Sequence, residues 1–439
     1  FFRRPKNRKG SLAFMENYYQ TSCCYSPSWM KEFKCLAENC PQTCCQGWNI
    51  PVDEKHASFY QNLADKNLHE ITDSALRKIS TGKGKNRSTE YFLNLLKQPD
   101  EICPFLSEAK FCRLQEKYGE FALCDTCFFF PRYYWQIDSS LFLSASLSCP
   151  KVRELALLNP NRMDFESIET YIDPHADWLF CEFIRDDKSR ILLKLRDDIV
   201  KALIKCVQNR GRKMPDRLAN ACNLLISIGE MIENGMDEEA ICNILIGPSS
   251  GELSDPFFTS GECEDPVRLS EWIKILNECL NWGLEGASKS SIAIQRNMIS
   301  LLAGETDPII LMAEHYRMGR DNMMELFSKK YAHLPENFMV LFFFSDCLKQ
   351  FSQYQQESIT VDRIVKFEIA QVVIVWSLLK IQAVNKALQI GSLTVDSFLQ
   401  IAAETDRDFL HYPAYIRQCA QRLSMKFDSN EKLIQCLFY

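Results

Sequence analysis

The sequence predicts a mainly α-helical protein, in which a cysteine-rich, metal-binding N-terminal region with a short strand or hairpin precedes a helical C-terminal region. Eleven of the twenty cysteines lie within the first 150 of the 439 residues. Within Tyr133–Ser148, apolar residues come to alternate with polar ones, which is the period of a half-buried strand. From Val152 onward the apolar spacing is helical almost throughout, and proline and glycine mark the breaks.

Helices are predicted both inside the cysteine-rich region and after it. Inside it, Asp53–Leu63 and Asn67–Ile79 have apolar residues at roughly helical spacing, and the loop Ser80–Ser88 follows them. Downstream, the segments with a helical pattern are Leu192–Cys206, Pro215–Asn234, Asp237–Leu245, Pro266–Trp282, Arg296–Ala303, Pro335–Phe351, Val361–Ile390 and Val395–Ala402.

The chain is long for one domain, so two or three domains are expected. Hydrophobic residues make up 46% and charged residues 25% of the chain, which is typical of a globular protein with a sizeable core. The predicted segments are a disordered basic tail (1–14), a cysteine-rich iron–sulfur or zinc domain (15–151), a helical domain (152–246), a linker (247–262) and a second helical domain (263–439).

Cysteine usage and hydropathy predict a cytoplasmic protein. The first residues are basic with no apolar segment after them, so no secretory signal is expected. The longest apolar runs fall short of the roughly 20 residues that cross a bilayer, so no membrane partner is expected. In a reducing compartment, clustered cysteines bind metal more often than they form disulfides. Neither half of the chain is strongly basic, and a nucleic-acid partner is not expected.

Clustered thiolates select zinc, copper(I) or iron–sulfur over hard cations, and the cysteines of the first region form two groups of this character. The first group is Cys35, Cys40, Cys44 and Cys45, and the second is Cys103, Cys112, Cys124 and Cys127, with Cys149 following. Three of them precede proline, as in bacterial ferredoxins, which favours iron–sulfur over zinc. Only one C-x2-C pair of the kind found in zinc sites occurs, Cys124/Cys127. Because Cys44 and Cys45 are adjacent, one is expected to bind metal while the other serves a second centre, a redox role or the core. The nine later cysteines are predicted to be small core residues.

Several blocks of this region resemble the bacterial flagellin lysine-N-methylase family, and two weaker blocks resemble it downstream. Their order and spacing across residues 33–150 make the resemblance specific. The blocks are Phe33-Lys34-Cys35, Cys40-Pro-Gln-Thr-Cys44-Cys45-Gln-Gly-Trp48, Cys103-Pro104-Phe105-Leu106, Phe111-Cys112, Thr126-Cys127, Leu143-Ser-Ala-Ser-Leu-Ser-Cys149-Pro150 and, downstream, Met214-Pro-Asp-Arg217-Leu218 and Asp406-Arg-Asp-Phe-Leu-His411.

The resemblance implies an enzyme that transfers methyl groups from S-adenosylmethionine to surface lysines of flagellin and carries a [4Fe-4S] cluster, with zinc as the alternative metal. Cys23, Cys24 and Cys124 fall outside the family pattern. The metal ligands that the resemblance implies are Cys35, Cys40, Cys44, Cys45, Cys103, Cys112, Cys127 and Cys149.

Two motifs common in other enzymes that use this donor are missing from the sequence. No Gly-rich G-x-G-x-G motif follows a predicted strand, as it would in a Rossmann-type methyltransferase. Nor is there a C-x3-C-x2-C triad, because Cys44 is followed directly by Cys45. The donor site and the catalytic base are therefore not assigned from sequence. Two other interpretations stay open, a non-catalytic iron- or zinc-binding or redox-sensing protein and an iron–sulfur factor that binds nucleic acid.

Overall fold

The computed structural model describes two compact units. The described residues are 20–81, 88–137, 140–172, 187–246, 265–280, 316–321, 323, 326–327, 330–349, 360–410 and 413–439. The N-terminal unit takes its residues from 1–135, 140–155 and 165–179, and the C-terminal unit takes the remainder.

Two small sheets form the framework of the N-terminal unit. In the four-stranded sheet, of order β5-β6-β1-β7, β1 pairs in parallel with β6 and antiparallel with β7 over its whole length. The three-stranded sheet, of order β2-β4-β3, is antiparallel. The strands are β1 (Gln20–Pro27), β2 (Ile50–Val52), β3 (Leu76–Thr81), β4 (Ser88–Leu93), β5 (Arg132–Ile137), β6 (Ser140–Ala145) and β7 (Phe165–Ile172).

Helices account for most of the remaining described residues. Many of them follow a residue whose side chain accepts a hydrogen bond from a backbone N–H of the first turn, as Asp53 and Asp65 do in the N-terminal unit. The helices are α1 (Glu54–Gln61), α2 (Lys66–Ala75), α3 (Arg113–Tyr118), α4 (Asp125–Phe129), α5 (Pro150–Leu157), α6 (Asp187–Lys194), α7 (Arg196–Val207), α8 (Met214–Glu233), α9 (Glu238–Ile246), α10 (Pro266–Leu280), α11 (His333–Asp346), α12 (Val361–Ile390), α13 (Val395–Thr405), α14 (Pro413–Lys426) and α15 (Asn430–Gln435).

The long helix α12 is the centre of the C-terminal unit, and α8, α13, α14 and α15 pack around it. Its buried residues extend over nearly its full length, which is the pattern of a core helix surrounded by neighbours. The backbone of α8 approaches α12 closely at Gly229, where a Cβ atom would lie 2.9 Å from Val365 Cγ2. No helix in the described parts of the chain is both long and apolar enough to cross a membrane.

Buried charges tie α8 and α11 together in this unit. Glu336 of α11, 1% exposed, accepts hydrogen bonds from Arg217 Nη1 at 2.7 Å and Arg210 Nη2 at 2.8 Å. Arg210 Nε also donates to both oxygens of Glu336, at 3.1 and 3.0 Å. Arg217 belongs to one of the weak downstream blocks, and the structure assigns it a role in packing.

The predicted fold class is confirmed: a small strand-containing, cysteine-rich N-terminal part precedes a helical C-terminal part. The predicted helix Val361–Ile390 has the observed bounds, whereas the predicted helix Asn67–Ile79 ends at Ala75 because the chain there enters β3. β7 was not predicted, and it extends the N-terminal unit beyond residue 151 by pairing with β1. The tail 1–14, the helix Arg296–Ala303 and the linker 247–262 lie outside the described residues.

Candidate metal centre

The first cysteine group lies between the 3-10 turn Ser28–Glu32 and β2, in a segment whose residues are mostly exposed or half-buried. Cys35 and Cys44 are exposed, and Cys40 is half-buried. The Ala37 N–H donates to Cys35 Sγ at 3.4 Å, and the Cys40 thiol donates to the Gln42 carbonyl oxygen at 2.7 Å. Local hydrogen bonds therefore hold this loop in a defined conformation.

Cys149 reaches the first group from a distant part of the chain. It lies directly before α5, and Arg153 of that helix donates to Gln42 Oε1 at 2.7 Å. Burial raises the pKa of the Cys149 thiol, and the charges of Cys40 and Cys35 act in the same direction. The fold thus brings Cys149 beside cysteines more than 100 positions earlier in the sequence.

The second group lies in the hydrophobic core of the N-terminal unit. Cys103 is 5% exposed and packs in the cluster that contains Tyr60 and Phe105. Cys45, Cys112 and Cys127 pack against the same cluster. The Cys103 N–H donates to the Cys45 carbonyl oxygen at 2.8 Å, so the backbone also joins Cys45 to this group.

A short helix, α4, positions the last two thiols of this core. Cys124 immediately precedes α4, and Cys127 lies within it, so the two thiols come together across its first turn. The Cys124 N–H donates to Tyr60 Oη at 2.8 Å, and this hydroxyl donates to the Ala122 carbonyl oxygen at 2.9 Å. Cys124 was not among the predicted ligands, although its C-x2-C spacing to Cys127 is visible in the sequence.

Burial, neighbouring thiols and hydrogen bonds shift the pKa values of these cysteines. Burial above all, together with the charges of Cys45 and Cys124 and against local backbone hydrogen bonds, raises the pKa of Cys112 to about 11. A hydrogen bond from the adjacent thiol of Cys44 lowers the pKa of Cys45 to about 7, although burial opposes it. Thiolates that repel one another in this way are stabilised together when a metal ion neutralises them.

The spacing of these sulfur atoms bears on the kind of metal group they fit. Among the described residues, the one set of three potential ligand atoms within 4.8 Å of one another is Asp53, His56 and Asp125, so the cysteine sulfurs are spread more widely. Four thiolates on one tetrahedral zinc would lie only about 3.8 Å apart, given Zn–S bonds of about 2.3 Å. A cluster separates its cysteine ligands because each binds a different iron.

Hydrogen bonds within the protein explain why Asp53, His56 and Asp125 lie close together. His56 Nδ1 lies 2.8 Å from both carboxylate oxygens of Asp53, and His56 Nε2 lies 3.1 Å from the Phe121 carbonyl oxygen. Asp53 also accepts from the backbone N–H groups of His56 and Asp125, each at 2.9 Å. Both ring nitrogens are thus engaged, and the set joins the first turns of α1 and α4.

We expect the His56→Ala variant to lose about 3 kcal/mol of unfolding free energy, because the largely buried Asp53 carboxylate loses its partner. Burial alone would raise the pKa of Asp53, but the hydrogen bond and charge of His56, with backbone donors, lower it. The Asp53 contribution is therefore present above pH ~4 and is lost as the pH falls through the lower folded-state value. Urea unfolding of the wild type and the His56→Ala variant between pH 2 and 7 measures this contribution to the free energy of unfolding.

The matched control is His69→Ala, since His69 pairs with Asp73 on an exposed helix surface. This variant should change stability by no more than about 1 kcal/mol. Equal effects of the two substitutions would show that the buried pair does not stabilise the unit.

The aromatic residues Tyr134 and Trp135, close to the cysteines in the sequence, are buried in the core, and Arg132 lies beside them at the start of β5. Trp135 is 1% exposed and stacks on Phe142 with ring centroids 5.4 Å apart. The Tyr134 hydroxyl lies 3.2 Å from Thr170 Oγ1. Arg132 donates to the Phe128 carbonyl oxygen at 2.8 Å, at the end of α4. These contacts identify packing roles for all three.

Six of the seven later cysteines that the structure describes are buried as predicted, and Cys242 is the exception. Cys181 and Cys263 lie outside the described residues, and Cys242 is half-buried. The others are buried in the helical unit: Cys206, Cys222, Cys279, Cys347, Cys419 and Cys436.

The fold and the site define a helical protein whose N-terminal unit concentrates thiols able to bind a soft metal. A model of the FliB lysine N-methylase C-terminal domain matches residues 201–436, more than half of the chain. This chain therefore belongs to the FliB lysine N-methylase family.

Curated relatives carry names consistent with that family. The chain is 30% identical to the flagellar biosynthetic protein FliU of Salmonella muenchen over 139 residues, which cover 31% of this chain and 78% of that relative. It is 30% identical over 139 residues to a lysine-N-methylase of Salmonella typhimurium, and 33% identical over 143 residues to one of Salmonella choleraesuis. Each of these two matches covers 31% of this chain and 33% of the relative, so the chain matches about a third of their length. No solved structure matches.

Proposed function

We propose that this protein is an S-adenosylmethionine-dependent protein-lysine N-methyltransferase of the cytoplasm that acts on surface lysines of flagellin. The observation that carries the proposal is the match of residues 201–436 to a lysine N-methylase domain. The names of the relatives, which include a flagellar biosynthetic protein and two lysine-N-methylases, support the reaction and the class of substrate.

The reaction places a definite demand on the protein. A lysine amine attacks the sulfonium methyl group only when it is neutral, and with a reference pKa near 10.4 that form is about one part in a few thousand at pH 7. The enzyme must desolvate the amine or supply a base that takes its proton. The nitrogen lone pair then forms the new N–C bond while the C–S bond breaks, and its electrons leave on the sulfur of S-adenosylhomocysteine.

We further propose that the cysteine-rich unit holds an iron–sulfur cluster. The donor set supports it: soft thiols lie both in the core and at the surface of the unit, and their sulfurs are more widely spread than four ligands of one zinc. A bound cluster would supply electron-transfer chemistry or anchor the unit, and in-line methyl transfer itself needs no metal. The residues that would hold it are among Cys35, Cys40, Cys44, Cys45, Cys103, Cys112, Cys127 and Cys149.

Co-expression with flagellin tests the activity and the part that the thiols take in it. Flagellin produced with the intact chain, in a host without this enzyme, is expected to carry methylated lysines by peptide mass spectrometry. We further propose that the cluster is needed for activity, so the Cys112→Ala variant should lose its iron and about 100-fold of this methylation.

The control is Cys23→Ala, an exposed cysteine of the same unit on β1 that lies outside the family pattern. It should retain both iron and methylation. If Cys112→Ala loses iron but stays folded and fully active, the functional role of the metal is wrong. If the wild-type chain binds metal and leaves flagellin unmodified, the non-catalytic metal-binding interpretation replaces the proposal.

A further inference from the structure

His333, the first residue of α11, has a buried imidazole ring with one unpartnered nitrogen. The residue is 8% exposed, and among the described residues its Nε2 atom has no hydrogen-bond partner. The backbone carbonyl groups of Leu158 and Lys330 form hydrogen bonds with the ring. Because a carbonyl oxygen only accepts, the ring must donate to them, and Nδ1 is the nitrogen left to do so. In the neutral ring, the lone pair of Nε2 is then free.

The surroundings of His333 favour its neutral form. Burial above all, together with the charge of Arg210, lowers the pKa of His333, although the charge of Glu336 and the two carbonyl groups oppose that shift. The charged groups near the ring are Arg210 after α7, Arg217 of α8, Glu336 of α11 and Lys330. A histidine whose pKa lies below its ordinary value of about 6.5 is mostly neutral at pH 7. Nε2 is therefore an acceptor under these conditions.

Asn337 supplies a second buried acceptor without a partner. Its Nδ2 donates to the carbonyl oxygens of Leu157 at 3.3 Å and Asn159 at 2.9 Å, and these bonds fix the orientation of the amide. In the described parts of the chain its Oδ1 atom accepts no hydrogen bond, and the residue is 1% exposed. His333 and Asn337 are four residues apart, so they lie on the same side of α11. Two free acceptors on one side of a helix suit a ligand with several N–H donors, such as an amine.

The charge beside these acceptors disfavours an ammonium group and favours a neutral amine. Glu336 accepts hydrogen bonds from both Arg210 and Arg217, so one carboxylate stands against two guanidinium groups and one positive charge remains. A lysine amine is activated when it is desolvated or placed near another cation, because both disfavour its protonated form. The start of α11 offers both conditions.

Tyr331 adds an aromatic face next to the buried ring. Its side chain is half-buried, and its ring centroid lies 6.3 Å from that of His333. The Nζ atom of Lys330 lies 5.4 Å from the centroid of the Tyr331 ring, so this face already accommodates a lysine head group of the chain itself. A substrate lysine finds the same kind of surface here.

We propose that His333 is the general base that deprotonates the substrate lysine, and that Asn337 Oδ1 is a second acceptor that orients the amine. The inference rests on the proposed methyl transfer and places the base within residues 201–436, the part that matches the lysine N-methylase domain. His333 Nε2 takes a proton from the lysine ammonium and becomes an imidazolium. The freed nitrogen lone pair forms the N–C bond while the C–S bond of the sulfonium donor breaks, and its electrons leave on sulfur. The imidazolium then returns its proton to water.

The His333→Asn variant tests this role, because the asparagine amide can replace the Nδ1 donor but supplies no base at Nε2. Initial rates of flagellin methylation with labelled S-adenosylmethionine are measured for the intact chain between pH 6 and 9.5. At pH 7 the variant should lose about 100-fold or more of kcat, the usual contribution of a general base. The loss should shrink as the pH rises, since the neutral fraction of free lysine grows about tenfold per pH unit. His69→Asn, at an exposed histidine, is the control and should follow the wild type.

The pH profile of the wild type covers the case in which the variant does not fold. With His333 as the base, kcat/KM should level off above about pH 7, where the ring is neutral. A wild-type profile that rises tenfold per pH unit throughout would overturn the inference. So would a folded His333→Asn variant with wild-type rates, the result expected if a buried water merely joins Nε2 to Asn337 Oδ1. In both cases the proposed function would stand, whereas a wild type that leaves flagellin unmodified would overturn the function and this inference together.

Discussion

Replacement of Glu336 by alanine is expected to destabilise the C-terminal unit by about 3–5 kcal/mol, the cost of breaking a buried ion pair by removing one partner. Glu336 is 1% exposed and accepts hydrogen bonds from Arg210 and Arg217. Burial lowers the pKa of Arg217, and the charge of Glu336 opposes that shift. Without the carboxylate, the buried Arg217 guanidinium would retain its charge with no acidic partner at that position.

Chemical denaturation of the Glu336→Ala variant measures this loss. The matched control is Glu278→Ala, because Glu278 forms an ion pair with Lys426 at 2.8 Å whose side chains are about half exposed. That variant should lose no more than about 1 kcal/mol. A Glu336→Ala loss as small as that of the control would contradict a stabilising role for the buried cluster.

Glu368 is expected to make the stability of the C-terminal unit depend on pH. It is 0% exposed within α12, and burial raises its pKa to about 8, although hydrogen bonds from the Leu348 backbone and Cys347 and the charge of Arg196 act against burial. The folded state therefore holds a proton that the unfolded chain releases near pH 4.3. The contribution of this group is fully present below that value and is lost as the pH rises towards 8.

The Glu368→Gln variant isolates this effect. Between about pH 5 and 8, the stability of the wild type relative to the variant should fall by up to about 1.4 kcal/mol per pH unit. Glu431→Gln, at an exposed position of α15, is the control and should follow the wild type. A difference between wild type and Glu368→Gln that does not change with pH would show that Glu368 does not retain its proton in the folded chain.

The sequence was most informative where the pattern is local. Helical spacing predicted α12 with its observed bounds, and alternation predicted the β5 and β6 region. β7 was missed although its burial alternates along the strand, because the pairing with β1 that forms it joins residues some 140 positions apart. Arg217 was noticed in a motif, but its partner Glu336 lies 119 residues away and could be identified only from the fold.

The candidate site, too, was predictable from the sequence only in its local features. Spacing and residue type predicted clustered soft-metal ligands, the resemblance narrowed them to eight cysteines, and the structure places each of the eight in the N-terminal unit. The sequence could not show that Cys149 lies near Cys35 and Cys40, because their proximity depends on where α5 begins relative to a distant loop. Nor could the sequence show that Asp53 joins α1 to α4, because it accepts a hydrogen bond from the Asp125 N–H 72 residues away.

The most direct test of the proposed function uses purified components. The intact chain, prepared without oxygen, is incubated with flagellin and S-adenosylmethionine carrying an isotopically labelled methyl group, and the flagellin peptides are analysed by mass spectrometry. We expect the label on the side-chain nitrogen of surface lysines, with a matching amount of S-adenosylhomocysteine formed. Flagellin that stays unlabelled in the presence of a folded, metal-loaded chain would contradict the assignment of this protein as a flagellin lysine methyltransferase.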